Sequence, residues 1–409
     1  MSIGGIVGRD RRRPSLPPEL IGRLFLAWLA ISTLLLLTHA GAIWERGIAQ
    51  PTAAATAIAL PLAMLACVIV LVGRIAYRLF DEEVAGLAAL TCGLAVPLLQ
   101  QLSLLRVEQH GWQVVGALFA ANGLMARDAR RGGWAIGGGL AVCLAISSAV
   151  LPLIACFVAV TALKWLRNRC DRWWMAHTMT ALALVSAALF AASGGLSDVS
   201  RSCGGLSAVH VAMFAWGAAI TALNAWLEPH PKAFTVAGMG VTVAGALLIA
   251  WQAAPQCTLG TIQVQPLWAG GPLAAAHALA VPLLGLAAAV RLIGPASDWL
   301  RRWWIDYALL LLAAIVLAVV LGWGSAIACA LAAVPLGWQL REWTRAARNS
   351  RQPRRRALVL AGVSLALAPA APLSLLLVAA PGQAARTPAA AEPVTLAADS
   401  GFGLWRTLR

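Results

Sequence analysis

Apolar windows of about 17 to 25 residues follow one another along almost the whole chain, separated by short polar breaks. Nothing else in the sequence restricts the fold as much. A helix rises about 1.5 Å per residue, so windows of this length match the hydrocarbon thickness of a bilayer. Lipid offers no hydrogen-bond partners, so each segment must satisfy its own backbone, which predicts helices. Composition agrees: 60% of the residues are apolar and 11% charged, against about 25% charged in soluble domains. The chain reads as an all-α polytopic membrane protein of about thirteen spans (12–13), near 20–43, 52–73, 84–104, 112–126, 133–149, 150–166, 175–193, 207–227, 234–254, 272–292, 304–321, 323–340 and 357–379.

A formal net charge of +15 in a soluble protein would point to nucleic acid. Here the cations sort by membrane side instead. With the N-terminus cytoplasmic, every Lys and Arg falls on the cytoplasmic side except Arg46, Arg106 and Arg201 and, in the tail, Arg386, Arg406 and Arg409. The charge therefore predicts topology and contact with anionic membrane lipid, with no nucleic acid as partner. Three parts follow: a basic cytoplasmic segment over 1–19, a transmembrane domain over 20–379, and a disordered periplasmic tail over 380–409, rich in Ala and Pro. The first span, with its basic start and Ala40-Gly41-Ala42 end, also has the marks of a cleavable signal peptide; either outcome leaves the later topology unchanged.

Ionisable groups that the cytoplasmic rim does not explain mark where chemistry is to be sought. Outside the membrane these are Glu45, Glu108 and Asp198, with Glu392 and Asp399 in the tail. Glu108 stands two residues from both Arg106 and His110 in "LLRVEQHGWQ", where a carboxylate and an imidazole can ligate a metal and a guanidinium can hold a phosphate. A merely solvated loop explains the same composition equally well. Arg201, in "SGGLSDVSRSCGGLS", is a candidate contact for an anionic headgroup or ligand. Cys203 and Cys257 fall in outside loops, where an oxidising compartment allows a disulfide; two free thiols are the alternative. Trp44, Trp112, Trp165, Trp173, Trp174, Trp299, Trp303, Trp304 and Trp338 lie near span ends and suit headgroup anchoring. His39, His177, His210 and His277 stand singly and suit helix packing. No Walker, GxSxG, HExxH or dinucleotide motif occurs.

The segment "LLRVEQHGWQVVGALFAANGLMARDARRGG" resembles the R-x-D-H-H-x-x-Q segment of bacterial membrane glycosyltransferase-like proteins, related to the catalytic subunit of oligosaccharyltransferase in the GT-C superfamily. Arg106, His110 and Gln113 stand at matching positions, with Glu108 for the Asp and Gln109 for the first His. The resemblance continues through "SCGGLS", "APQCTLG", "PLLGLAAAVRL" and "ACALAAVPLGWQLREWTRAAR" and covers most of residues 55–375. It implies a bacterial inner-membrane protein that transfers a sugar from a polyprenyl-phosphate-linked donor to an acceptor at the outer face. A divalent metal ion, Mg or Mn, would be held by Glu108 and His110 against the donor phosphate. Arg106 would clamp that phosphate, Gln113 would line the substrate site, and Glu45 would serve as the second catalytic acid.

Where those relatives carry a long first outside loop with an Asp-rich motif, this chain has only "IWERGIAQ", whose one acid is Glu45. The alternative is therefore a catalytically inactive lipid-glycan-binding or assembly subunit on the same scaffold. A transporter or flippase is a third reading, and would need ionisable residues facing one another near mid-membrane, of which the sequence has almost none.

Overall fold

The computed structural model describes residues 17–39, 43, 51–104, 110–193, 206–227, 231–253, 267–349 and 352–367. Among them all regular structure is helical, without a strand. We number the α-helices α1 (Pro18–Thr38), α2 (Pro51–Leu79), α3 (Glu82–Gly93), α4 (Val96–Gln101), α5 (His110–Gly123), α6 (Ala129–Ile146) and α7 (Leu151–Arg167) in the first half of the chain. The second half supplies α8 (Arg172–Ala192), α9 (Ala208–Leu227), α10 (Lys232–Ala253), α11 (Pro272–Ile293), α12 (Asp298–Leu321), α13 (Gly324–Asn349) and α14 (Pro353–Leu367). Eight of them, α1, α2 and α7 to α12, are long and apolar enough to cross a membrane.

The expected spans 84–104, 112–126, 133–149, 323–340 and 357–379 have no counterpart among those eight, and the first differs in form as well. Residues 84–104 hold two helices, because Pro97 has no N–H and its ring would collide with the carbonyl of Gly93 if a single helix ran through. The chain instead turns at Leu94 and Ala95, and Pro97 sits in the first turn of α4, where a missing N–H costs nothing.

Burial divides the helices sharply. On α9 and α10 many large side chains, among them Trp226, Leu247, Leu248 and Trp251, point outward, as suits a lipid-facing surface. Helix α13 is the opposite: residues 324–337 are buried without exception. Its sequence "GSAIACALAAVPLG" explains this. Small side chains bring no bulk of their own, so seven neighbours, α2, α3, α4, α5, α11, α12 and α14, pack around one axis. At Gly337 a Cβ would lie 2.8 Å from both the Cβ and the backbone nitrogen of Ala88 on α3, so any larger residue would push the two helices apart.

One end of the bundle is tied by ions and rings. Asp81 caps α3 by accepting from the Val84 N–H (3.0 Å) and pairs with Arg341 of α13, while Arg345 meets Glu83 at 2.9 Å. Arg167 at the end of α7 pairs with Asp306, which is buried on α12. Next to them the Lys164 ammonium lies 3.6 Å from the centre of the Trp174 ring. Trp165, Trp174, Trp303 and Trp304 are all buried. These four expected anchors are thus core residues at this end, whereas Trp173 and Trp299 are exposed. Trp303 stacks on Tyr307 and Trp304 meets both rings edge-on, with the Tyr307 hydroxyl donating to the Leu331 carbonyl at 2.7 Å.

Candidate functional site

Among the described residues, the opposite end of α13 carries neutral polar groups. Four short stretches meet there: the end of α4, the residues just beyond it, the first turn of α5, and the turn that joins α12 to α13. His110 is the first residue of α5 and Gln113 lies one turn on, so the i to i+3 spacing puts both on one face. Gln113 is fully buried, and its Oε1 lies 3.1 Å from Nδ1 of the half-buried His110. The polar loop had made His110 a candidate and the family resemblance had added Gln113, and the structure brings them together.

The turn between α12 and α13 supplies what spacing could not. Gly322 has φ 59° and ψ −55°, and the Trp323 N–H donates back to the Leu321 carbonyl, closing a γ-turn of the rare positive-φ kind. An L side chain is strained in that conformation and glycine is not. The Ser325 N–H then donates to the Gly322 carbonyl at 3.0 Å. The result places the Trp323 indole flat against His110, with ring centres 5.4 Å apart and planes 9° from parallel. Gln101, at the end of α4, donates its Nε2 to the Trp323 carbonyl at 2.7 Å and so fixes the turn from below.

Three atoms in this cluster are buried without a hydrogen-bond partner: Gln101 Oε1, Ser103 Oγ and Gln113 Nε2. Each desolvated polar atom left unpaired costs about 1 to 3 kcal/mol, so evolved sites keep such groups where something else uses them. Gln101, Ser103 and Trp323 were not among the residues the sequence singled out. Faint signals for them existed: "QQLS" breaks an apolar run at 100–103, and "LGWGS" sets a Trp between two glycines at a span boundary.

Arg106 and Glu108, which flank His110, lie outside the described residues, as do Glu45, Arg201, Cys203 and Cys257. No group of three or more His, Cys, Asp or Glu that could hold a metal ion occurs among the described residues. His110 nonetheless fits as one ligand of such an ion. With Nδ1 engaged by Gln113, its Nε2 keeps a lone pair for coordination, the usual arrangement for a metal-bound imidazole. Away from this end, His210 is fully buried and its Nδ1 accepts from the Ser207 backbone N–H at 3.2 Å, a capping role at the start of α9.

No protein-family model matches the sequence, and no curated protein does. Solved structures share the fold. The apo oligosaccharyltransferase of Archaeoglobus fulgidus superposes with a TM-score of 0.54 at 15% identity, covering 78% of this chain and 44% of its own. The same organism's oligosaccharyltransferase AglB, in complex with an inhibitory peptide and a dolichol-phosphate, gives 0.52 at 16% identity over 77% of this chain and 43% of its own. A complex of the Archaeoglobus fulgidus oligosaccharyltransferase with Zn and sulfate gives 0.54 at 15% identity over 80% of this chain and 42% of its own. The chain thus spans less than half the length of the solved structures it matches.

Proposed function

We propose that this protein is a membrane glycosyltransferase of GT-C type, which transfers a sugar from a polyprenyl-phosphate-linked donor to an acceptor at the outer face of a bacterial inner membrane. The observation that carries this reading is the aimed imidazole of His110, set among unpartnered polar atoms on an oligosaccharyltransferase-like fold. That solved structures of this fold hold a dolichol-phosphate and a peptide in one case, and Zn in another, supports a lipid-linked donor and a divalent ion here.

In this reading the arginine-rich end of the bundle is cytoplasmic and the His110 end faces outward, with thirteen crossings, the N-terminus inside and the C-terminus outside. Residues 1–19 are then a cytoplasmic segment, 20–379 the transmembrane domain and 380–409 a periplasmic tail. His110 and Glu108 would hold Mg or Mn, which when bound supplies a Lewis acid to the donor phosphate. Arg106 grips that phosphate through its guanidinium fork. Glu45 is the second acid and orients or deprotonates the acceptor. Gln113 acts through His110, Arg201 contacts an anionic headgroup, and Cys203 pairs with Cys257 to join two outer loops.

The test is sugar transfer from a polyprenyl-linked donor in membranes, comparing wild type with Glu108→Ala. Loss of about a hundredfold in the variant is expected, since "LLRVEQHGWQ" holds no other carboxylate. Equal transfer by both proteins removes Glu108 from the mechanism. A lack of transfer by either favours the second reading, a lipid-glycan-binding or assembly subunit, which the short "IWERGIAQ" loop with its single acid supports.

A further inference from the structure

We infer that Trp323 and Gln113 are positioning residues for His110: the indole sets the plane of the imidazole, and the glutamine sets which ring nitrogen carries the proton. The inference rests on the reading of His110 as a metal or phosphate contact and adds the residues that aim it.

The two contacts do different work. A near-parallel stack with planes 9° apart resists tilting of the ring, but it is blind to a half-turn about the Cβ–Cγ bond, which leaves the plane unchanged and exchanges the edges. Gln113 breaks that degeneracy. Its Oε1 can only accept, so at 3.1 Å it calls for a proton on Nδ1 and leaves Nε2 bare. Burial holds the amide in place, because Gln113 has no exposed surface and is flanked by packed residues of α5.

Trp323 in turn is not free to drift. The γ-turn at Gly322 aims it, Gln101 Nε2 holds its carbonyl at 2.7 Å, and α13 begins at the next residue. Only glycine takes this turn without strain, and the residue that the turn delivers is the one that touches the imidazole. The device therefore connects the buried axis of the bundle to one ring.

The experiment uses the full chain in nanodiscs with 15N-labelled histidine. The chain has six histidines, so the His110 resonances are assigned by their loss in His110→Gln. At a pH above the imidazole titration, wild type is expected to show the proton on Nδ1. Gln113→Glu, which keeps the acceptor, retains that tautomer. Gln113→Leu yields a mixture of both, and Trp323→Leu broadens the signals through ring motion while Trp323→Phe does not. Gly322→Ala, which displaces the indole, behaves like Trp323→Leu. A proton on Nε2 in wild type, or an unchanged tautomer in Gln113→Leu, overturns the inference.

A Mn2+ titration of the same samples separates this inference from the functional reading. Gln113→Leu and Trp323→Leu are expected to bind the ion about 10 to 100 times more weakly than wild type, as loss of an outer partner of a metal-bound histidine does. Equal affinity in all variants overturns positioning and leaves the function standing. A fixed tautomer in a wild type that binds no ion upholds positioning and removes the metal-dependent function. Circular dichroism confirms that each variant is folded.

Discussion

The two ends of α13 hold their polar groups in opposite ways. At the arginine end the charges answer one another: Arg341 with Asp81, Arg345 with Glu83, Arg167 with Asp306. Among the described residues the groups at the His110 end are neutral, and three of their atoms have no partner, against one, Arg341 Nε, among the charged groups at the arginine end. Arg341 and Asp306 are buried and need their partners, whereas Arg345 and Glu83 pair at the surface, so the first end is explained mainly by stability. Unpaired amides and hydroxyls lower stability, so the second end is explained by use. The difference teaches where to look for chemistry in a bundle of this kind: away from its densest charge.

Removing one side of a buried ion pair is the strongest way to break the comparison. Arg167→Met strands the carboxylate of Asp306, whose side chain is 6% exposed. Loss of a fully buried partner costs about 3 to 5 kcal/mol. Because Arg167 is itself 38% exposed and Lys164 is nearby, about 2 kcal/mol is expected, read from unfolding in mild detergent. Adding Asp306→Leu to that variant should recover most of the loss, and a double variant less stable than the single one would refute the pairing account.

The axis between the ends comes next. Gly337→Ala should cost about 1 to 3 kcal/mol by forcing α13 away from Ala88, with the thermal midpoint as readout. The smallest stability effect belongs to the His110 end. Gln101→Leu removes one unpaired oxygen and one hydrogen bond together, so these nearly cancel, and stability should stay within about 1 kcal/mol of wild type. Sugar transfer should nevertheless fall severalfold as the Trp323 turn loosens. If stability and transfer fell in step, the two ends would not differ in kind.

Much of this was legible in the sequence, and the reason differs by residue. Hydropathy finds helices because lipid leaves the backbone no other partner, and each apolar window near an expected span does carry a helix where residues are described. His110 was legible from its polar loop and Gln113 from the family resemblance; their spacing on one helix then accounts for their meeting. Trp323 was not, because its contact with His110 joins parts of the chain more than 200 residues apart and depends on a γ-turn that no pattern announces. Trp165, Trp174, Trp303 and Trp304 were misread for a related cause. Position near a span end is shared by lipid-facing and buried rings, and only the neighbours decide between them.

The buried axis of α13 also determines how freely this sequence can drift. On α10, exchanging Val243 for another aliphatic residue alters only what touches lipid, and many spellings serve equally. On α13 an added carbon at Gly337 meets Ala88 at once, so the alphabet there shrinks to the smallest letters. A saturation library of the whole chain would show a narrow intolerant seam running between two permissive walls. A fold can then remain recognisable at 15% identity, because most of its substitutions are written where no neighbour reads them.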